Sequence, residues 1–250
     1  MIKRLFNRND NIAILIAGIF SIIIGLGVAR FAFTGLIPAM LDDYLTIKFV
    51  GILASLNFAG YLSGSIFSIF VKDINFKVYL YRFGIFLAIS TTFILAYSDN
   101  NTLWMIGRVL AGFAGAMCLI VGTSIVMQKL TIKSKTKAMG IHFSGIGFSI
   151  LTTDLLARFV LSLNYTWRDS WAFLAVFAII LSLYSVYILS FDKEVKQNAV
   201  KVKFDISIFT PFVIVLIIAY FTAGVGFVVQ ATFLPDIINK LKGLEGYGSL

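Results

Sequence analysis

Charged residues are scarce in this sequence, and so are proline, cysteine and histidine. Only 13% of the 250 residues are charged, and the chain has three Pro, one Cys (Cys118) and one His (His142). A soluble domain carries about a quarter charged residues. A lone cysteine excludes an intrachain disulfide and a metal site built from cysteines. We therefore expect no cofactor and no resident metal ion.

The motifs of common hydrolases and nucleotide-binding enzymes are also missing. The sequence contains no His-Glu-x-x-His, no Gly-x-Ser-x-Gly and no glycine-rich phosphate loop. A membrane-embedded enzyme would need titratable groups, and this chain has few. The sequence therefore predicts a protein that is not an enzyme.

Apolar residues are abundant instead: 59% of the chain is hydrophobic, and its mean hydropathy is +0.94. A helix needs about 20 apolar residues to cross a bilayer, and seven runs reach that length. Period-2 alternation is absent, which disfavours a β-barrel. The sequence predicts an all-α membrane protein with these spans: Ile12–Leu36, Phe49–Val71, Val78–Tyr97, Leu103–Met127, Ala138–Leu161, Trp171–Phe191 and Ile208–Phe233.

The loop charges predict how these spans are oriented. With the N-terminus inside, fourteen Lys and Arg fall on the inner side and four on the outer side. The positive-inside rule then places the N-terminus in the cytoplasm. We expect the protein itself to lie in the cell's inner (cytoplasmic) membrane. In a soluble protein a net charge of +9 would indicate nucleic-acid binding. Here we interpret it as topology signals and contacts to anionic lipid, and expect no nucleic-acid partner.

One segment reads as a linker. Residues 192–205 hold seven charged residues and no apolar run, which divides the chain into a six-helix bundle (1–191), a cytoplasmic linker (192–207) and the first helix of a second bundle (208–250). The first and seventh spans share a Gly-x-Gly followed by a Pro near the outer end. Transporters with two parallel halves show such similarity, so we expect the chain to be part of a longer, two-bundle protein.

Four charged residues lie inside the spans, where a charge is costly and commonly marks a functional site. Arg30, Arg108, Asp154 and Arg158 all fall about 6–12 Å outward of their span centres, at 1.5 Å per helical residue. Ten Ile, Leu, Val or Phe residues in the fourth span contribute about −3 to −6 kcal/mol to the free energy of membrane insertion, and Arg108 opposes insertion by about +3 kcal/mol. The shared depth predicts one wet cavity in the outer half.

Two roles stay open for these charges. Asp154 and Arg158 have ion-pair spacing (i, i+4) and would neutralise each other, which would leave Arg30 and Arg108 to bind an anionic substrate group. Alternatively, Asp154 bonds one of those arginines in a structural network. Asp154 is also the best candidate for proton coupling.

Three polar residues complete the candidate set. His142 lies near the cytoplasmic end of the fifth span and is either a proton-coupling residue or a hydrogen-bonded packing residue. Asn57 and Gln230 either line the cavity or bridge helices.

Several segments resemble a known family. Gly27–Thr34 with Leu36–Met40 is similar to the first helix of YbfB-like major facilitator transporters. Gly60-Tyr-Leu-x-Gly64, Arg108-x-x-x-Gly112, His142–Gly147 and Ala231–Pro235 resemble its helices 2, 4, 5 and 7, in that order along the chain.

The resemblance implies a major facilitator fold: two pseudo-symmetric six-helix bundles that work by alternating access. Helices 1, 4 and 7 line the cavity in that superfamily, which would put Arg30, Arg108 and Gln230 on cavity-lining helices. Two departures stand out. The usual acidic and basic pair does not follow Gly60 directly, and the fifth span lacks the Gly-Pro of drug antiporters.

Together these observations predict a secondary active transporter of a small solute. An organic anion is the candidate substrate and a proton the candidate coupling ion, with the lipid bilayer as its surroundings. The alternatives are a drug or metabolite exporter of the same fold and a non-transporting, truncated remnant.

Overall fold

The computed structural model of the chain describes residues 6–41, 43–131, 135–191 and 209–239, with the side chains of 211–227, 230 and 238 in the last helix. This part of the chain contains seven helices and no strand. The helices are α1 (Asn11–Leu41), α2 (Ile47–Phe70), α3 (Ile74–Tyr97), α4 (Asn101–Lys129), α5 (Lys135–Ser162), α6 (Trp167–Ile188) and α7 (Pro211–Asn239).

Helices α1 to α6 are long and apolar enough to cross a bilayer, which confirms the prediction of an all-α membrane protein with several spans. The seventh predicted span coincides with α7. Its described side chains form an apolar stretch at Pro211–Phe227, and its backbone remains helical to Asn239.

Most helix boundaries differ from the predicted spans by a few residues, and three of these differences have a local cause. Helix α1 continues through Pro38 to Leu41, because a proline within a membrane helix is tolerated where neighbouring groups satisfy the freed backbone. Helix α6 begins at Trp167, where Thr166 and Asp169 form a reciprocal capping box. Helix α7 begins at Pro211, since a proline suits the first helical turn, where its missing N–H costs nothing.

Helix α1 is the centre of the six-helix unit. In its most apolar stretch 78% of the residues are buried, against 33% in α2, α5 and α6. It packs on α4, α5 and α6. Helices α2 and α5 therefore leave wide faces uncovered by the rest of this unit.

Glycines bring α2 and α4 into backbone contact. A Cβ added at Gly60 would overlap the carbonyl oxygen of Val109, and one at Gly112 would overlap that of Asn57. Small residues permit such close approach in lipid, where apolar burial no longer drives helices together. By contrast, Gly140 on α5 has no described atom within 4 Å of an added Cβ.

Two π-helical segments interrupt α1 and α4. They cover Ile23–Phe31 and Met117–Val121, and in the first the N–H of Ala32 donates to the carbonyl of Gly27, five residues back. The segments meet where Gly25 touches Cys118. Such wide turns are rare in proteins overall, but those that occur are often at functional sites. The first π segment ends at Phe31, immediately after Arg30.

The end of the bundle opposite the N-terminus is closed by an aromatic cluster. The rings of Tyr44, Trp104 and Trp167 lie 5.2–5.9 Å apart. The Tyr44 hydroxyl donates to the Asp99 carbonyl at 2.8 Å, and Asp99 pairs with Arg168. Burial and the nearby Asp99 raise the pKa of Tyr44. These contacts tie the loops together at that end.

The chain divides into two compact units, 1–197 and 198–250. The predicted linker, 192–207, lies outside the described residues, so the predicted domain boundaries stay a prediction.

The glycine contact between α2 and α4 can be tested by adding one methyl group. In Gly112→Ala the new Cβ meets the Asn57 carbonyl and lies 2.8 Å from the Tyr61 nitrogen. Overpacking should lower the melting temperature in detergent by about 4 °C or more. The matched control, Gly140→Ala, should melt like the parent protein or slightly higher. Equal melting temperatures for the two variants would contradict this packing.

Candidate functional site: an arginine pair between α1, α2 and α4

Arg30 lies in the last turn of the α1 π segment and is half-buried. Its Cζ lies 4.4 Å from the ring centroid of Phe58 and 5.3 Å from that of Tyr61, both on α2. A third ring, Phe31, lies 5.5 Å away. Aromatic faces attract a cation at these distances. Arg30 is therefore held by rings that leave its N–H groups uncommitted to any described acceptor.

The exposed face of α1 continues outward from Arg30. Phe31 and Thr34 are half-buried, whereas the intervening Ala32 and Phe33 are buried against the bundle. No carboxylate in the described ranges lies within ion-pair distance of Arg30. This face of α1 thus presents an uncompensated positive charge.

Arg108 has a different environment. It is 2% exposed, its Nη1 donates to the Ala29 carbonyl at 3.0 Å, and its Cζ lies 4.3 Å from the Phe33 ring centroid. Its Nε is buried without an acceptor among the described atoms. Arg108 therefore joins α4 to the backbone residue that precedes Arg30.

Asn57 lies behind Arg108, on α2. It is 1% exposed, and its Nδ2 donates to the Arg108 carbonyl at 3.1 Å. Its Oδ1 is buried without a donor in the described part of the chain. The structure thus brings Arg30, Arg108 and Asn57 together, with Asn57 bridging two helices.

Asp154 and Arg158 form a second cluster on α5. Asp154 Oδ2 accepts from Arg158 Nε at 2.9 Å. The other oxygen, Oδ1, is buried, has no hydrogen-bond partner among the described residues, and faces Gly35 of α1. Neither Arg30 nor Arg108 bonds Asp154 within the described ranges.

Helix α1 separates the Arg30 cluster from the Asp154 cluster. Each residue of an α-helix turns the side-chain direction by about 100°. Gly35 comes five residues after Arg30, so the two residues point in directions about 140° apart once full turns are subtracted. Arg30 therefore faces α2, and the Asp154 carboxylate meets α1 on a different face. The four intramembrane charges form two groups at a similar depth.

His142 belongs to neither group. It is fully buried in the half of the bundle nearer the N-terminus, where its Nε2 lies 2.9 Å from the Thr123 hydroxyl. Its Nδ1 has no partner in the described structure, and the ring fills the space over Gly18 of α1. The contact joins α1, α4 and α5.

Gln230 is exposed on α7. Since α7 belongs to the second unit, its position relative to Arg30 and Arg108 stays a prediction. Among the described residues, no group of three or more His, Cys, Asp or Glu could hold a metal ion.

The sequence reasoning missed the aromatic partners of Arg30. Phe58 and Tyr61 are three residues apart, and this spacing places them on one face of a helix. Tyr61 also lies in the Gly60-Tyr-Leu-x-Gly64 segment that carries the family resemblance. That combination was a readable signal, whereas the π segment that orients Arg30 has no comparable sequence signature.

A match to one family's sequence profile decides which family the chain belongs to. The sequence profile of the family described as uncharacterised MFS-type transporter YbfB matches residues 22–245. The chain belongs to this family. A search of curated proteins found no match.

Membership of the YbfB-type family confirms the major facilitator resemblance and the all-α fold. It establishes a multi-pass membrane protein of the transporter class. The matched region includes the Arg30 cluster, the Asp154 cluster and the described part of α7. The family's description names no substrate.

Proposed function

We propose that the protein is a secondary active transporter of a small organic anion, working by alternating access in the cell's inner membrane. The observation that carries this proposal is Arg30: a half-buried cation on an open helix face with no carboxylate partner in the described ranges. Family membership supports a carrier over a membrane-embedded enzyme.

Arg30 is the group suited to contact the substrate. A guanidinium offers two parallel N–H donors that match a carboxylate. The rings of Phe58 and Tyr61 beside it offer apolar surface for the rest of an organic anion. Arg108 has one N–H committed to the Ala29 carbonyl and is almost fully buried. We therefore assign Arg108 a positioning role and Arg30 the contact.

Proton coupling is assigned to Asp154. Its Oδ1 is buried without a partner among the described residues, so no described donor occupies this carboxylate oxygen. Protonation would weaken the ion pair with Arg158 and release positive charge beside α1. That change is the kind of local event that can bias a two-state helix packing.

The proposed orientation has a cytoplasmic N-terminus. It is supported by the fourteen loop cations on that side against four on the other. The uncovered faces of α2 and α5 also suit alternating access, since a carrier needs surfaces that close against a second set of helices.

The anion proposal can be tested with ligands that differ only in charge. Purified protein should be stabilised by benzoate and other carboxylates more than by the matched amides, such as benzamide. In Arg30→Gln the half-saturating carboxylate concentration should rise about tenfold or more, because charge-assisted hydrogen bonds contribute about 1.5–3 kcal/mol. Thermal-shift titration measures both quantities.

Two variants serve as controls for that titration. Lys48→Gln removes an exposed cation at the same end of the bundle and should leave carboxylate binding unchanged, while Arg30→Lys should give an intermediate affinity. Equal stabilisation by carboxylates and amides, or unchanged binding by Arg30→Gln, would refute the anion site.

Proton coupling predicts a split between two transport assays. In proteoliposomes, Asp154→Asn should abolish accumulation driven by a pH gradient while exchange of labelled benzoate for unlabelled benzoate continues. The double variant Asp154→Asn/Arg158→Gln, which removes both charges of this ion pair, should behave in the same way. Asp99→Asn, a largely exposed carboxylate, is the control. Uphill accumulation by the Asp154 variants would exclude this residue as the coupling group.

A further inference from the structure

The hydroxyl of Tyr61 is a polar group beside Arg30 that the proposed function does not use. Tyr61 is half-buried on α2. Its backbone carbonyl accepts from the Ser65 hydroxyl at 2.8 Å. Its own hydroxyl makes no hydrogen bond to a described residue and is not enclosed by the described part of the chain. The hydroxyl is therefore available to a ligand.

The ring that carries this hydroxyl reaches from α2 to two other helices. A Cβ added at Gly115 of α4 would lie 3.6 Å from Cδ2 of the Tyr61 ring. The centroid of the same ring lies 5.3 Å from Cζ of Arg30 on α1. Since the hydroxyl oxygen is bonded to this ring, contacts on two sides fix its position relative to the guanidinium. One small molecule can therefore contact both groups.

The neighbouring hydroxyls of α2 are satisfied within their own helix. Ser63 and Ser68 each donate to a carbonyl three residues back, and Ser65 donates to one four residues back. The hydroxyl of Tyr61 stands at the far end of a ring, too distant from its own helix backbone for such a bond. Inside a membrane a polar group needs a partner from the protein, from cavity water or from a ligand. An uncommitted hydroxyl next to an uncommitted guanidinium is typical of a ligand site.

Thr34 carries a second hydroxyl near Arg30, one turn farther outward on α1, and it is also half-buried. A threonine hydroxyl can rotate to bond a carbonyl of its own helix. Thr92 and Thr153 do so at 2.7 and 2.8 Å. Thr34 therefore has an alternative to a ligand that Tyr61 lacks, and we assign the contact to Tyr61.

We propose that the Tyr61 hydroxyl determines which organic anions this site prefers, by hydrogen bonding to a hydroxyl or keto oxygen of the substrate while Arg30 binds its carboxylate. The inference rests on the proposed anion site at Arg30. A phenol hydroxyl both donates and accepts, so it can pair with either kind of oxygen. A site with such a group favours hydroxy- and oxo-acids over acids with a purely hydrocarbon body, because only the former pair with the hydroxyl.

Two pairs of carboxylates that differ in one hydroxyl test this preference. Mandelate is phenylacetate with a hydroxyl on the carbon next to the carboxylate, and tropate is 2-phenylpropanoate with a hydroxyl one carbon farther away. In thermal-shift titration of the full chain, the hydroxylated member of at least one pair should bind about threefold to tenfold more tightly, as expected for one added hydrogen bond. In Tyr61→Phe this gain should disappear while phenylacetate binds as in the parent, because the ring beside Arg30 is retained.

Two variants that keep Tyr61 are the controls. Tyr97→Phe removes a hydroxyl from a 73% exposed ring at the end of α3, and Thr34→Val removes the hydroxyl next to Arg30 on α1. Both should keep the parent's preference for the hydroxylated acid. Loss of the preference in Thr34→Val together with its retention in Tyr61→Phe would assign the contact to Thr34 and overturn the proposal.

The same titration separates failure of this inference from failure of the anion site. If phenylacetate binds in an Arg30-dependent manner but neither hydroxylated acid binds more tightly, the role of Tyr61 is wrong and the anion site stands. A gain that is unchanged in Tyr61→Phe has the same meaning. If none of the four acids stabilises the chain in an Arg30-dependent manner, both proposals fail.

Discussion

The burial of the Arg108 guanidinium is the constraint on which the rest of the site depends. Inside a membrane bundle every donor needs an acceptor within the protein, and this side chain reaches the carbonyl of Ala29 on α1. The contact fixes α4 against α1 one residue before Arg30. The ring of Phe33 packs against the Arg108 guanidinium. The side chain of Arg30 points instead to the open face of α1, where α2 supplies the rings of Phe58 and Tyr61.

Close glycine contacts make this arrangement possible. Gly112 lets the Asn57 backbone approach α4, so that the Asn57 amide reaches the Arg108 carbonyl. Gly25 lets α1 pass over Cys118 where the two π segments meet. Arg108 is thus held by a backbone carbonyl and a ring, without a carboxylate among the described residues, although its Nε has no acceptor there. The carboxylate that is available, Asp154, instead pairs locally with Arg158 and is left for a separate task.

Hydropathy was enough to predict the spans, because α1 to α6 are each long and apolar enough to cross a bilayer despite the charged residues inside α1, α4 and α5. The capping box at Thr166 has a readable sequence signature, Thr-x-x-Asp before an apolar run, and the predicted start of this span at Trp171 did not use it. The different roles of Arg30 and Arg108 could not be predicted, because both lie at similar depth on predicted cavity-lining helices. Their environments are set by side chains from other helices and by the π turn that ends at Phe31.

The most direct test compares the access of water to the two arginine positions. In a Cys118→Ala background, which removes the one native, buried thiol, single Arg30→Cys and Arg108→Cys proteins are treated with a charged, membrane-impermeant thiol reagent. The account predicts that residue 30 reacts at least about tenfold faster, since reaction requires an exposed thiolate. Equal rates, or faster reaction at residue 108, would contradict the assignment of Arg108 to packing and Arg30 to the open face.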